Sequence, residues 1–185
     1  MISVVIPTLD DEARLAPTLA ALVAAAVDGI VREVVIADGG STDATLAIAD
    51  DAGARVVPAQ PDLGRRLAAG CAVTRAEWLL VLPPGVRLES GWEAVADAHM
   101  TAHPTRAGYF QAALDGKGVW LRQRLTGLRV AMSGQPYLEQ GLLISRKLYD
   151  EVGGYRPKEE PQDLAARLGR RRLSALKARV FVPQG

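Results

Sequence analysis

The first half of the chain alternates between two hydrophobic periods, and this alternation constrains the fold more than any other feature. Ile2 to Ile6 is a β-branched run closed by Pro7, the pattern of a strand buried on both faces. Asp10, Asp11 and Glu12 follow, suited to the N-terminus of a helix, and Leu15, Leu19, Leu22 and Val23 then recur at helical spacing as far as Val27. Asp28-Gly29 ends that helix. Val34 to Ala37 reads as a second buried strand running into Asp38-Gly39-Gly40-Ser41-Thr42-Asp43, with Ser41 or Thr42 expected to cap a helix through Leu46 and Ile48. Arg55 to Pro58 is a third strand, Leu63 to Thr74 a helix, Trp78 to Leu82 a fourth strand, and Trp92 to His103 another helix. Strand and helix in this order predict a parallel sheet with right-handed crossovers. Ligands of such sheets bind outside the carboxyl ends of the strands. The loops expected to converge are therefore Pro7 to Glu12, Asp38 to Asp43 and Leu82 to Arg87.

The second half breaks the pattern. Tyr109 to Ala113 and Gly141 to Ser145 read as strands, and Val119 to Met132, Arg146 to Val152 and Gln162 to Gly169 as helices. No internal repeat or low-complexity linker divides the chain. The expectation is a single α/β domain over 1–185.

Composition narrows the chemistry. The net charge of +1 disfavours a nucleic-acid binder, and the single Cys excludes an intrachain disulfide and a multi-thiolate metal site. His99 and His103 lack the His-Glu-x-x-His pattern of a zinc hydrolase. They read as surface residues, and Cys71, among small residues, as a buried one. No apolar run is long enough to span a membrane, and the N-terminus lacks the features of a signal peptide, so the expected location is cytoplasmic. Catalysis would have to come from carboxylates, arginines and backbone loops.

Asp38 is the most informative residue. Directly after a buried strand and before two glycines, its carboxylate stands where it can accept from a base N–H or ribose hydroxyls, although an Asp before Gly also caps turns. The run Ile2-Ser3-Val4-Val5-Ile6-Pro7-Thr8-Leu9-Asp10-Asp11-Glu12 resembles the opening of family 2 glycosyltransferases, and Val34 to Asp43 resembles their second motif. Gly64-Arg65-Arg66-Leu67-Ala68-Ala69-Gly70 and Glu77 to Leu80 are similar to a third segment. Tyr137-Leu138-Glu139-Gln140-Gly141 and Gly153-Gly154-Tyr155 resemble later acceptor-side segments. The resemblance implies a GT-A fold, a Rossmann-like and mostly parallel sheet flanked by helices. Residues 1–105 would form its nucleotide-sugar-binding half and 106–185 its acceptor-side half. It implies a UDP- or GDP-sugar donor and inverting transfer of the sugar to an acceptor hydroxyl. Pro7, Thr8, Leu9, Asp11, Asp38 and Gly39 would line the nucleoside pocket, Arg65 or Arg66 would lie near the base or diphosphate, and Glu139 and Gln140 on the acceptor side.

Two departures from the family pattern carry weight. Its Asp-x-Asp-type motif, whose carboxylate holds Mg²⁺ or Mn²⁺, corresponds here to Leu82-Pro83-Pro84-Gly85-Val86, with Gly85 at the ligand position and no ligating side chain. Its Glu-Asp pair on a late helix reads Gln162-Asp163, which leaves Asp163 as the candidate base or as an ordinary carboxylate in a helix's first turn. Arg65, Arg66 and Arg87 are expected near the diphosphate and could replace the metal. The second reading is a catalytically impaired nucleotide-sugar-binding or regulatory module. Arginines and lysines crowd the tail from Arg156, which reads as a solvated face or, with Trp120, as a patch facing anionic membrane if the acceptor is lipid-linked. Trp78 and Trp92 are expected to pack around the Pro-Pro-Gly turn.

Overall fold

The computed structural model describes residues 1–114 and 136–182. The helix expected over Val119 to Met132, and Trp120 within it, lie outside the described residues.

Eight strands form one sheet: β1 (Ile2–Thr8), β2 (Val31–Asp38), β3 (Arg55–Pro58), β4 (Trp78–Val81), β5 (Arg87–Leu88), β6 (Ala107–Leu114), β7 (Leu142–Ser145) and β8 (Leu173–Val182), in the order β3-β2-β1-β4-β7-β6-β8-β5. The first four run parallel to one another. β7 is antiparallel to both β4 and β6, β8 is parallel to β6, and β5 is antiparallel to β8. The chain leaves β1 in one direction to build β2 and β3, then returns to its other side with β4. This reversal opens a crevice at the carboxyl ends of β1 and β4.

Helices cover both faces. On one side α1 (Glu12–Ala20), α2 (Val23–Val27), α3 (Thr45–Asp51) and α5 (Trp92–Ala102) pack over Val4, Ile6, Leu80 and Leu82. On the other, α4 (Leu63–Val73), α6 (Arg146–Glu151) and α7 (Pro161–Leu168) cover Val5, Leu79, Val81 and Ile144. Alternate residues of β1 and β4 thus enter different cores, as the strand period of two requires. α4 lies close on the sheet because Gly70 has no side chain: a Cβ there would stand 2.6 Å from Val5 Cγ1 and 3.0 Å from the Ala37 Cβ. Its neighbour Cys71 is fully buried, and burial pushes its thiol up to about 12.

Several expectations need correction. The helix read through Val27 is two helices, broken at Ala21 and Leu22. The third helix begins at Thr45, since Ser41 and Thr42 spend their hydroxyls on Asp38 and Asp10. His99 is buried, its Nε2 3.0 Å from the Arg106 carbonyl and its ring edge-on to Trp78; burial holds its pKa below the usual histidine value. Trp78 therefore packs at the start of β4, not around the Pro-Pro-Gly turn, and Trp92 packs edge-on to Phe110. Much of the basic tail is β8, in which Leu176, Ala178 and Val180 point inward while Lys177 and Arg179 face solvent.

Candidate functional site

The loops after β1 and β2 meet at the carboxyl edge because the two strands pair in register down to Thr8 and Asp38. The Thr8 hydroxyl donates to Asp38 Oδ1 at 2.9 Å, and the Ser41 hydroxyl donates to the same oxygen. The Gly40 and Ser41 N–H groups donate to Asp38 Oδ2 at 2.8 and 2.9 Å. Burial of Asp38 works to raise its pKa, but these four donors outweigh it and hold the carboxyl below its ordinary value.

The same exchange of side chain for backbone continues outward. Asp10 N–H donates to Ser41 Oγ at 2.9 Å, and Thr42 N–H to Asp10 Oδ1 at 2.8 Å. Asp11 N–H donates to the buried Thr45 hydroxyl at 2.8 Å, and Glu12 N–H to Asp43 at 3.0 Å. Ala44 N–H returns to Glu12 at 2.9 Å. Asp11 accepts from Leu9 N–H and is paired with Arg14. Asp10 adopts φ 53°, a left-handed conformation that Asp tolerates better than most residues.

Arg66 closes this edge from α4. Its half-buried guanidinium faces Asp11, Asp38 and Asp62; burial lowers its pKa and the three carboxylates oppose that. Its Nε is buried without a hydrogen-bond partner. Gly39 makes room for the side chain, since an added Cβ would stand 3.0 Å from Arg66 Cδ. Asp62, which sequence reasoning does not single out, caps α4 by accepting from Arg65 N–H at 2.8 Å. Its position three residues before Arg65 was the available signal. The same carboxylate accepts from Lys158 N–H at 3.2 Å, which ties the loop before α7 to this edge.

Of the residues expected at a donor site, the structure thus brings Thr8, Asp11, Asp38, Gly39 and Arg66 together, with Pro7 near the end of β1 and Leu9 in the loop that follows it. Arg65 is half-exposed on α4. Arg87 lies elsewhere, stacked over Phe181 at 5.9 Å on β5. Asp163 is exposed in the first turn of α7, where its carboxylate accepts from Glu160 N–H at 2.9 Å in a capping box. The preceding Gln162 has a buried Oε1 without a partner. Gln140 is buried and structural: its Nε2 donates to Phe110 O and its Oε1 accepts from Tyr137 N–H, both at 3.1 Å, while Glu139 is exposed.

The turn after β4 is built into the body of the fold. Gly85, at φ 91°, donates its N–H to the Arg14 carbonyl at 2.9 Å and the Thr18 hydroxyl at 2.8 Å. Among the described residues no group of three or more His, Cys, Asp or Glu side chains is arranged to hold a metal ion.

A sheet of this order, with an acidic double loop at its carboxyl edge, is that of the GT-A glycosyltransferases. Glucosyl-3-phosphoglycerate synthase from Mycobacterium tuberculosis, solved with Mn²⁺, UDP and glucosyl-3-phosphoglycerate, is 25% identical, with a TM-score of 0.66 over 98% of this chain and 70% of that one. The same enzyme with Mn²⁺ and UDP-glucose gives a TM-score of 0.69 at 24% identity, covering 98% of this chain and 70% of that one. S. aureus TarS 1-349 with UDP-GlcNAc shares the fold at 19% identity, with a TM-score of 0.75 over 100% of this chain and 58% of that one. The model of glycosyl transferase family 2 matches residues 3–82 of the chain. No curated protein matches the chain. Among the described residues no helix is long and apolar enough to cross a membrane.

Proposed function

We propose that the protein is a glycosyltransferase that takes a sugar from a nucleoside-diphosphate donor bound at the carboxyl edge of β1, β2 and β4. The observation that carries this reading is the loop pair itself. Thr8, Asp11, Asp38 and Arg66 meet at the crevice where α/β sheets bind ligands, within the segment that matches the family. The UDP-bound glycosyltransferases of the same fold support it, and they favour transfer over a donor-binding module without activity.

Asp38 keeps its charge at neutral pH, so it can accept from a nucleobase N–H or a ribose hydroxyl once the Thr8 or Ser41 hydroxyl turns away. In the transfer, the acceptor hydroxyl oxygen bonds to the anomeric carbon as the bond from that carbon to the diphosphate breaks. The hydroxyl proton passes to a base, and the nucleoside diphosphate leaves. Asp163 is our candidate base. The described residues do not suit the family's metal, because Pro83-Pro84-Gly85 offers no ligating side chain and Gly85 N–H is committed to α1. We assign part of the phosphate recognition to Arg65 and Arg66 instead, whose planar guanidinium groups match phosphate oxygens bidentately. Arg66 also offsets three carboxylates, so the edge is less hostile to a diphosphate than its acidic residues suggest.

Calorimetric titration with UDP, GDP and their sugars tests this reading. Binding should survive EDTA and weaken about tenfold in Arg66→Ala, the loss of one charge-assisted contact. Failure of every nucleotide to bind, with or without Mn²⁺, would refute it. Asp163→Asn separates the two roles of that residue. A base requires kcat to collapse with KM little changed, whereas a capping carboxylate alone predicts unchanged kcat and a loss of about 1 kcal/mol of stability.

A further inference from the structure

The opposite end of the same sheet holds two adjoining cavities that the donor reading does not use. One, of about 400 Å³, is lined by Arg106, Lys147, Arg171 and Arg172, with Glu151 as its one carboxylate. The second, of about 630 Å³, shares Pro104, Ser145 and Lys147 with it and adds Arg75, Arg146 and Glu77. Together they form a cleft with six cationic side chains and two carboxylates. The cleft lies at the amino-terminal end of β4, where Trp78 pairs with Ser145 at the end of β7. A full strand length separates it from the Asp38 edge.

Some of these cations are already committed. Arg146 reaches the Cys71 carbonyl at 2.7 Å and stacks over Tyr149 at 5.7 Å. Arg172 pairs with Glu151 at 2.8 Å. Arg106 donates one Nη2 bond to the Leu173 carbonyl at 3.0 Å, and its Nε is buried without an acceptor. Lys147 and Arg171 are exposed and have no side-chain partner among the described residues. A cavity of this size, lined by two uncommitted cations and the guanidinium-bearing Arg106, is matched to an anion that offers several oxygens. A phosphate group satisfies both the charge and the donor count. A carboxylate offers fewer acceptor oxygens for the same three groups.

We propose that this cleft is a second binding site, distinct from the donor edge, for a phosphate-bearing ligand recognised by Arg106, Lys147 and Arg171. The ligand is either a free phosphate compound or the headgroup of an anionic lipid. α4 connects the two ends of the sheet: it is capped beside Arg66 at its N-terminus and clamped by Arg146 at its C-terminal carbonyls. Occupancy of the cleft therefore has a rigid element about 16 Å long through which to act on the donor edge.

The test compares the wild-type chain with Lys147→Glu/Arg171→Glu, two exposed substitutions, with a thermal melt to confirm that the variant is folded. Both proteins are titrated with inorganic phosphate and pyrophosphate by calorimetry, and sedimented with vesicles of phosphatidylcholine alone or with phosphatidylglycerol. Saturable phosphate or pyrophosphate binding that weakens at least tenfold in the variant assigns the cleft to a free phosphate ligand. Sedimentation that needs phosphatidylglycerol and disappears in the variant assigns it to a headgroup. No binding in either assay, or binding the folded variant keeps unchanged, overturns the proposal.

Discussion

At the carboxyl end of β1 and β2, side-chain acceptors are spent on the backbone of the neighbouring loop. At the amino end of β4 and the carboxyl end of β7, cations line open space. The first arrangement is reciprocal: Asp10, Asp38 and Asp43 each receive a backbone N–H from a few residues away or from the opposite loop. The second leaves Lys147 and Arg171 exposed. Acidic residues concentrate where an anionic donor is expected, yet most of them are already bonded. Charge at one end of this sheet holds loop conformation. At the other end it remains available to a ligand. Counting acidic and basic residues along the sequence does not distinguish these uses, because the distinction lies in which partner each group has found.

The contrast can be broken at several points, taken here from the largest expected effect downward. Gly64, in the first turn of α4, lies under the loop before α7, and a Cβ there would stand 2.1 Å from the Arg156 carbonyl oxygen. Gly64→Val should cost about 3 kcal/mol in urea denaturation, since the obstacle is backbone and cannot swing aside. If it costs nothing, the loop of residues 156–159 is not part of the carboxyl edge.

Asp38→Asn replaces an acceptor for four donors by a group that must donate as well, and should cost about 2 kcal/mol at pH 7. The pH dependence follows from the sign of the shift. The folded carboxyl titrates below its ordinary value, so its stabilisation is complete above about pH 4 and is lost as pH falls through the depressed folded value. Urea midpoints measured from pH 3 to 7 should therefore converge for wild type and variant at the acid end. A constant gap across that range would mean the carboxylate's charge contributes nothing.

Thr45→Val keeps the shape of a buried side chain and removes the acceptor of Asp11 N–H, for an expected loss of about 1.5 kcal/mol. Lys147→Gln, at the other end of the sheet, should change stability by less than about 0.5 kcal/mol. A larger loss there would show that the cationic end is also structural and erase the comparison.

The legibility of this molecule in its sequence follows the same division. β1 and β4 are fully buried strands whose apolar runs are interpretable in isolation. Thr8 and Asp38 are placed by strand ends, so their convergence follows from the parallel arrangement. β8 eluded sequence reasoning because the basic residues of the tail around it suggest a solvated face, although its inward residues alternate as a half-buried strand should. β5 is two residues long and exists only through its pairing with β8. His99 sits beside an equally polar His103, and only tertiary packing decides that one of them is buried. Asp163 shows the opposite limit. Its place in a helix's first turn was foreseeable, but a capping carboxylate and a catalytic one share that position, and only kinetics separates them.

The placement of β8 has a consequence for how the chain reaches its native state. β1 and β2 join through one helical connection, whereas β8 must find β6 some 65 residues earlier, and β5 earlier still. Closing long loops delays the contacts they permit. The carboxyl edge with its paired loops can therefore assemble from local crossovers while the far side of the sheet still lacks its central strand. In refolding followed by hydrogen exchange, amides of β1 and β4 should gain protection before those of β8. Simultaneous protection would mean that the whole sheet condenses at once.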